Sequence, residues 1–147
     1  MANKDIDHVA VLRSLDNILE LELAGVVRYT HYSFMVYGFG RIQIVSWLRG
    51  QASESQIHAH EAGELVTQLG GKPSLGIGPL LKDHTDSTRV ILEESLKHEG
   101  EALNAYEELL ELVTGRSIML EEYASRMISE ETRHVGEVKK MLRSPGD

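Results

Sequence analysis

The sequence predicts an all-α fold, a bundle of four long helices with a long crossover between the second and the third. Only three prolines occur in 147 residues, and none of them interrupts a long periodic segment. In each segment apolar residues recur every three or four positions, which is typical of helices that bury one face in a shared core. Glycine-rich points divide the chain into four such segments, about 6–37, 41–69, 86–114 and 117–143.

The first segment carries polar residues within its apolar face. Its seam begins at Val11, Leu15 and Ile18 and continues onto Glu22 and Tyr29. A carboxylate at a position that should be buried costs free energy unless it has a partner. Glu22 is therefore a candidate functional residue. Tyr29 reads as an ordinary core tyrosine or as a redox-active or supporting residue beside a site.

The second segment places Glu54, His58 and Glu61 on one stripe, at spacings of four and three residues. Glu61 is a candidate for a ligand or for a residue that supports one. We expect the helix to end at residues 70–73, Gly-Gly-Lys-Pro, because glycine ends helices and proline does not continue them.

The third and fourth segments repeat the pattern. The seam of the third lands on Glu99, and that of the fourth lands on Glu131 and His134. The other histidines, including His98, are expected to face solvent or to support a site. Candidate N-caps precede both helices: Thr85, Asp86 or Ser87 for the third and Ser117 for the fourth.

The connections have unequal lengths. The first and the third are a few residues long, so each joins two antiparallel helices. The middle one, from Gly70 to about Thr85, has no periodicity. In a four-helix bundle a long middle connection makes helices two and three parallel.

Composition limits the chemistry and the partners. The length suits a single domain over residues 1–147. There is no Cys, which excludes disulfides, thiol catalysis and Cys-held metals. A net charge of −8 disfavours nucleic-acid binding. We find neither a signal-like N-terminus nor an apolar run long enough to span a membrane, so we expect a cytoplasmic protein.

The carboxylates and histidines in the four seams predict a metal site. Several buried carboxylates that converge would repel each other, and a cation is the simplest partner. Oxygen and imidazole ligands suit iron and manganese, and also zinc. Two Glu plus two Glu/His pairs on four helices are the ligand set of a dinuclear site in a bundle core. The candidate ligands are Glu22, Glu54, His58, Glu99, Glu131 and His134.

At these residues the chain resembles the bacterioferritin branch of the ferritin-like superfamily. The resemblance includes Glu22 followed seven residues later by Tyr29, and it extends in order over nearly the whole chain. It implies a ferritin-like bundle with a di-iron centre that oxidises Fe(II) with O₂ or peroxide, and often a cage that stores iron. The other matching segments are 37–42 (YGFGRI), 69–75 (LGGKPSL), 98–100 (HEG) and 129–134 (SEETRH).

Three departures from that family bear on function. Counting back three from His58 gives Ser55 where the family has Glu, so either a π-bulge brings Glu54 to the site or that carboxylate is missing. The position of the family's haem-binding Met reads Gln56, so we expect no haem. The sequence stops at Asp147 without the fifth helix of the 24-subunit cage, which puts a full storage shell in doubt.

We therefore expect two iron ions per chain, with manganese or zinc as possible replacements, and ferroxidase activity in iron storage or detoxification. A homo-oligomer, at least a dimer, is expected. The alternatives are a non-storage di-metal oxidase or peroxide-detoxifying protein, and a metal-free helical interaction module.

Overall fold

The computed structural model describes residues 5–145. The predicted domain span, 1–147, also includes residues 1–4 and 146–147, which lie outside the described part. Within 5–145 the chain forms four α-helices and no strand, which confirms the predicted all-α bundle. The helices are α1 (His8–Phe34), α2 (Arg41–Gln68), α3 (Thr88–Val113) and α4 (Ile118–Leu142).

Local side-chain chemistry sets the helix ends. The hydroxyls of Ser87 and Ser117 accept hydrogen bonds from backbone N–H groups in the first turns of α3 and α4, which confirms both as N-caps. Asp7 caps α1 in the same way. Gly70 has a φ of +85°, a left-handed conformation that favours glycine, and the chain leaves α2 there.

Pairs of residues between helices give their directions. Tyr32 donates to Glu94 and Tyr106 donates to Glu22, both at 2.7 Å. The residue number falls along α1 as it rises along α3, so these two helices are antiparallel. The short hairpin of residues 35–40 makes α1 and α2 antiparallel too. Helices α2 and α3 therefore run parallel, as the long middle connection predicts.

The crossover between α2 and α3 follows α1. The Gly78 N–H donates to the Glu20 carbonyl at 2.8 Å, and Arg28 Nε donates to the Pro79 carbonyl at 2.9 Å. A Cβ at Gly78 would lie 2.9 Å from that same Glu20 oxygen, so this close approach requires glycine.

The hydrophobic core is divided in two along α1, α2 and α3. One cluster includes Leu15 and Ala62, and the other includes Tyr32 and Leu48. The residues between the two clusters on these helices include most of the buried polar side chains. Those that concern the site are Glu22, Ser55, His58, His98 and Glu99.

The helices differ from membrane-spanning segments. Among the described residues, no helix combines the length and the apolar character that crossing a bilayer requires.

Candidate metal centre

The first group of candidate ligands joins α1, α2 and α4. Glu22, His58 and Glu131 are buried, and their donor atoms lie within 4.8 Å of one another. His58 Nδ1 is 2.9 Å from Glu22 Oε2 and 3.8 Å from Glu131 Oε1. The phenol of Tyr106 donates to the same Glu22 oxygen and holds this carboxylate from the α3 side.

The second group joins α3 to α4. Glu99, Glu131 and His134 also place their donor atoms within 4.8 Å of one another. His134 Nδ1 is 3.6 Å from Glu131 Oε2 and 3.9 Å from Glu99 Oε2. Glu131 belongs to both groups and presents one carboxylate oxygen to each. It is therefore placed as a bridging ligand would be.

The two histidines are each held from outside by a carboxylate. His58 Nε2 lies 3.0 Å from Glu130 Oε2, and His134 Nε2 lies 3.0 Å from Glu54 Oε2. Each histidine thus turns Nδ1 inward and Nε2 outward. Metal-binding histidines usually have such a carboxylate partner, which orients the ring and strengthens it as a ligand.

Protons occupy part of the cluster in the metal-free protein. Burial, reinforced by Glu99, raises the pKa of Glu131 to about 10. Contacts with Glu131 and Glu99 raise the pKa of His134 to about 11. Burial opposes ionisation of Glu99, but its interactions with Glu131, His134 and Tyr29 outweigh burial and lower its pKa to about 2. Of the pair Glu99 and Glu131, Glu99 is thus the carboxylate that stays charged.

The site contains buried polar atoms without a partner. Among the described residues, Glu131 Oε2 and His134 Nδ1 are fully buried and accept or donate no hydrogen bond. Such atoms are rare in folded proteins and call for an explanation. A cation between them supplies one, because both atoms are metal ligands when deprotonated. Carboxylate oxygen and imidazole nitrogen fit iron, manganese or zinc.

The structure brings together five of the six predicted ligands: Glu22, His58, Glu99, Glu131 and His134. The sixth, Glu54, lies outside both groups. Its side chain is 49% exposed, and it contacts the outer nitrogen of His134.

The two supporting residues named from the sequence have different surroundings. Tyr29 is buried, and its hydroxyl donates to the carboxylate of Glu99. Burial, with the charge of Glu99, raises the pKa of Tyr29 well above its usual value, so the phenol keeps its proton. Glu61 contacts neither group, and pairs instead with Arg126 of α4.

Ser55 occupies the position three residues before His58. Helix α2 is a continuous α-helix without a π-bulge, so Glu54 is not rotated into this position. The Ser55 side chain is buried against Gly25 of α1, where an added Cβ would lie 2.7 Å from the Ser55 hydroxyl oxygen.

Two residues of the site, Glu130 and Tyr106, are not among those predicted, and a third, His98, is expected from the sequence either to face solvent or to support a site. Glu130 lies four residues before His134, the same spacing as Glu54 and His58, and this repeated spacing is a signal in the sequence. Tyr106 is part of the apolar seam of α3, which gives no sign that its hydroxyl reaches Glu22. His98 is 4% exposed and packs edge-on against Tyr29, so it supports the site and does not face solvent.

Comparison with known proteins agrees with this architecture. The family profile of the ferritin-like domain matches residues 12–144. The chain therefore belongs to the ferritin-like family. No curated protein sequence gives a significant match.

Solved structures with the same fold include diiron proteins. A ferritin-like, diiron-carboxylate protein from Bacillus anthracis is 26% identical, with a TM-score of 0.86, covering 93% of this chain and 98% of that one. A dodecameric thioferritin, the bacterioferritin-related protein of Bacteroides fragilis, is 19% identical, with a TM-score of 0.86 and coverages of 93% and 86%. The bacterioferritin of Desulfovibrio desulfuricans, which has a diiron site, is 21% identical, with a TM-score of 0.80 and coverages of 92% and 79%.

Proposed function

We propose that this protein binds two Fe(II) ions side by side and oxidises them with O₂ or peroxide, in iron storage or detoxification. The observation that carries the proposal is the pair of three-residue groups that share Glu131. The similarity to the diiron-carboxylate protein of Bacillus anthracis supports iron as the metal.

Each half of the site has a similar set of ligands. Glu22 and His58 would hold one ion, Glu99 and His134 would hold the other, and Glu131, which belongs to both groups, would contribute to each. Glu54 and Glu130 fix the outer nitrogens of the histidines, so that both Nδ1 atoms face the carboxylates of the site, where a metal would bind. Two adjacent Fe(II) ions can each give one electron to the oxidant.

Tyr29 has a positioning role in this scheme. Its hydroxyl donates to Glu99 and restricts the carboxylate to one orientation, and its location at the site also suits an electron donor. The negative charge of the ligands attracts Fe(II), and carboxylates stabilise Fe(III) as it forms. All of these ligands come from one chain, which distinguishes the site from the inter-subunit metal sites of DNA-protecting, peroxide-detoxifying cages.

The proposal includes an oligomer without haem. The bacterioferritin-related protein of Bacteroides fragilis is dodecameric, and we propose that this chain also forms a homo-oligomer. Gln56, which is exposed on α2, has no side-chain atom suited to bind haem iron.

Anaerobic iron binding tests the proposal. Metal-free protein should bind two Fe(II) per chain, and exposure to air should then produce a transient oxo-bridged absorbance. Glu131→Gln should remove that band, whereas Glu107→Gln, a change of the same type at an exposed position of α3, should keep it. Fewer than two ions bound per chain would contradict a dinuclear centre.

The native mass and the iron content of purified protein separate the alternatives. A large, iron-rich assembly indicates storage, and a small assembly with two irons per chain indicates a non-storage oxidase. A folded protein that takes up no metal would be a helical interaction module.

A further inference from the structure

Helices α2 and α4 each contribute a histidine to the candidate site, but they differ at the position three residues before it. In ferritin-like dinuclear sites, two of the four helices each contribute a Glu-x-x-His pair that projects into the bundle core, so two such glutamates are available to lie between the ions. Helix α4 has that pair as Glu131 and His134, whereas α2 has Ser55 and His58. The two ligand groups accordingly share one carboxylate instead of two.

The packing around Ser55 matches a small side chain. Its hydroxyl lies in the space that Gly25 leaves by having no Cβ, and His98 Nε2 lines the same space, 3.1 Å from where that Cβ would be. Within residues 5–145 no other carboxylate joins both ligand groups, and Glu54 contacts the outer nitrogen of His134 instead. The packing of α1, α2 and α3 around residue 55 is therefore consistent with serine, and not with a glutamate that would bridge the two ions.

A missing bridge changes the charge of the loaded site. Glu22, Glu99 and Glu131 contribute three negative charges when ionised, and the two histidines bind metal as neutral rings. Two divalent ions bring four positive charges, so one remains uncompensated by the carboxylates that would contact the ions. Only the carboxylate of Glu131 reduces the repulsion between the two ions, whereas a glutamate at position 55 would add a second carboxylate between them.

We propose that Ser55 makes this an unequal centre, which holds one divalent ion firmly and the second loosely enough to exchange. This inference rests on the proposed function, since it requires a site for two ions. A loosely held second ion suits iron that passes through the site as substrate.

The first ion should bind to the group formed by Glu99, Glu131 and His134. This group contains two of the three buried side-chain atoms that lack a hydrogen-bond partner among residues 5–145, Glu131 Oε2 and His134 Nδ1, so a cation there breaks no hydrogen bond of these atoms. In the other group, an ion must separate Glu22 from His58, which are in direct contact at 2.9 Å.

Titration with Co(II) tests the inference without any activity assay. Unlike Fe(II), Co(II) binds to oxygen and imidazole ligands without being readily oxidised by O₂. Metal-free wild type should bind two Co(II) ions in two steps, and the affinity of the second step should be at least about tenfold lower than that of the first. Tenfold is the lower end of the losses in metal affinity that follow the removal of a residue supporting a metal ligand. Ser55→Glu should tighten the second step by about tenfold or more. Ser55→Ala, which also lacks a carboxylate, should titrate like wild type.

Circular dichroism and thermal unfolding of the same samples control for folding. Ser55→Glu adds a fourth carboxylate to the site and should melt lower than wild type without metal, yet gain more from saturating Co(II). Ser55→Asp provides a smaller carboxylate if the glutamate variant does not fold.

The outcomes separate the two proposals. Two wild-type steps of equal affinity, or a folded carboxylate variant whose second step is unchanged, would overturn the inference and leave the proposed function intact. A wild type that binds no Co(II) would overturn both. A wild type that binds only one ion at saturating Co(II) would also overturn both proposals, even if the carboxylate variant binds two.

Discussion

His58 Nε2 of α2 lies 3.0 Å from Glu130 Oε2 of α4. A second contact joins the same two helices with the residue types exchanged. Glu54 of α2 makes the same contact with His134 of α4, also at 3.0 Å. Each glutamate lies four residues before a histidine on its own helix and supports the histidine of the other helix. The crossing follows from the antiparallel arrangement of α2 and α4, in which residue 54 is level with 134 and residue 58 with 130.

The crossed contacts predict that Glu130→Gln weakens metal binding by about 10- to 100-fold, because the neutral amide no longer strengthens His58 as a ligand. Calorimetric titration with Zn(II) measures the effect. Glu54→Gln should have an effect of the same kind through His134. Glu64→Gln, at an exposed position of α2, is the matched control and should bind Zn(II) like wild type. Unchanged affinity in both glutamine variants at 54 and 130 would show that the crossed contacts do not support the ligands.

Glu131 should lower the free energy of unfolding of the metal-free protein. It is 1% exposed, one of its oxygens has no partner, and burial raises its pKa to about 10, so at neutral pH it is held in its protonated form against its ordinary preference. Glu131→Gln removes that cost and should raise the free energy of unfolding of the metal-free protein by about 1–3 kcal/mol. Urea unfolding in the presence of a chelator measures it. The same variant should gain much less from added Zn(II) than wild type does, and a loss of stability without metal would contradict this account.

The helices and most of the ligands could be predicted because they depend on local sequence. The spacing of apolar residues gives each helix its buried face, and a glutamate on that face, such as Glu22 or Glu99, is conspicuous. The N-caps Ser87 and Ser117 are equally local features. The parallel direction of α2 and α3 follows from the length of one connection.

The remainder of the site depends on how two helices are aligned, which periodicity leaves open. Whether Glu130 meets His58, and whether Glu54 reaches a ligand or a metal, depends on the level of α2 relative to α4. The burial of His98 depends on its fit beside Gly25 and Tyr29. Tyr106 looks like an ordinary apolar residue in the sequence, because its aromatic ring belongs to the core and its hydroxyl alone belongs to the site.

Metal binding should release protons. Contacts with Glu131 and Glu99 raise the pKa of His134 to about 11, and burial raises that of Glu131 to about 10, so both groups hold a proton at pH 7 and must lose it to bind metal. Zn(II) affinity should therefore increase with pH between about 6 and 8. Calorimetry at one pH in two buffers with different ionisation enthalpies gives the number of protons released, which we expect to be about two per chain at saturating Zn(II), one from each group. Equal heats in the two buffers would show that the ligands are already deprotonated.

The contact between Gly25 and Ser55 predicts an energetic coupling between these positions. In Gly25→Ala the new Cβ would lie 2.7 Å from the Ser55 hydroxyl oxygen, so the variant should lose about 1–3 kcal/mol of stability, as is usual for overpacking. Adding Ser55→Ala removes that oxygen and should restore about 1 kcal/mol, although Ser55 Cβ and His98 Nε2 still limit the space. Gly63→Ala in α2, where a Cβ meets no atom within 4 Å, is the control and should be neutral or stabilising by up to about 1 kcal/mol. Urea unfolding of the four proteins of the cycle measures the coupling. Additive effects of the two substitutions would mean that α1 can move away from α2 without strain, and that the small residues at 25 and 55 do not require each other.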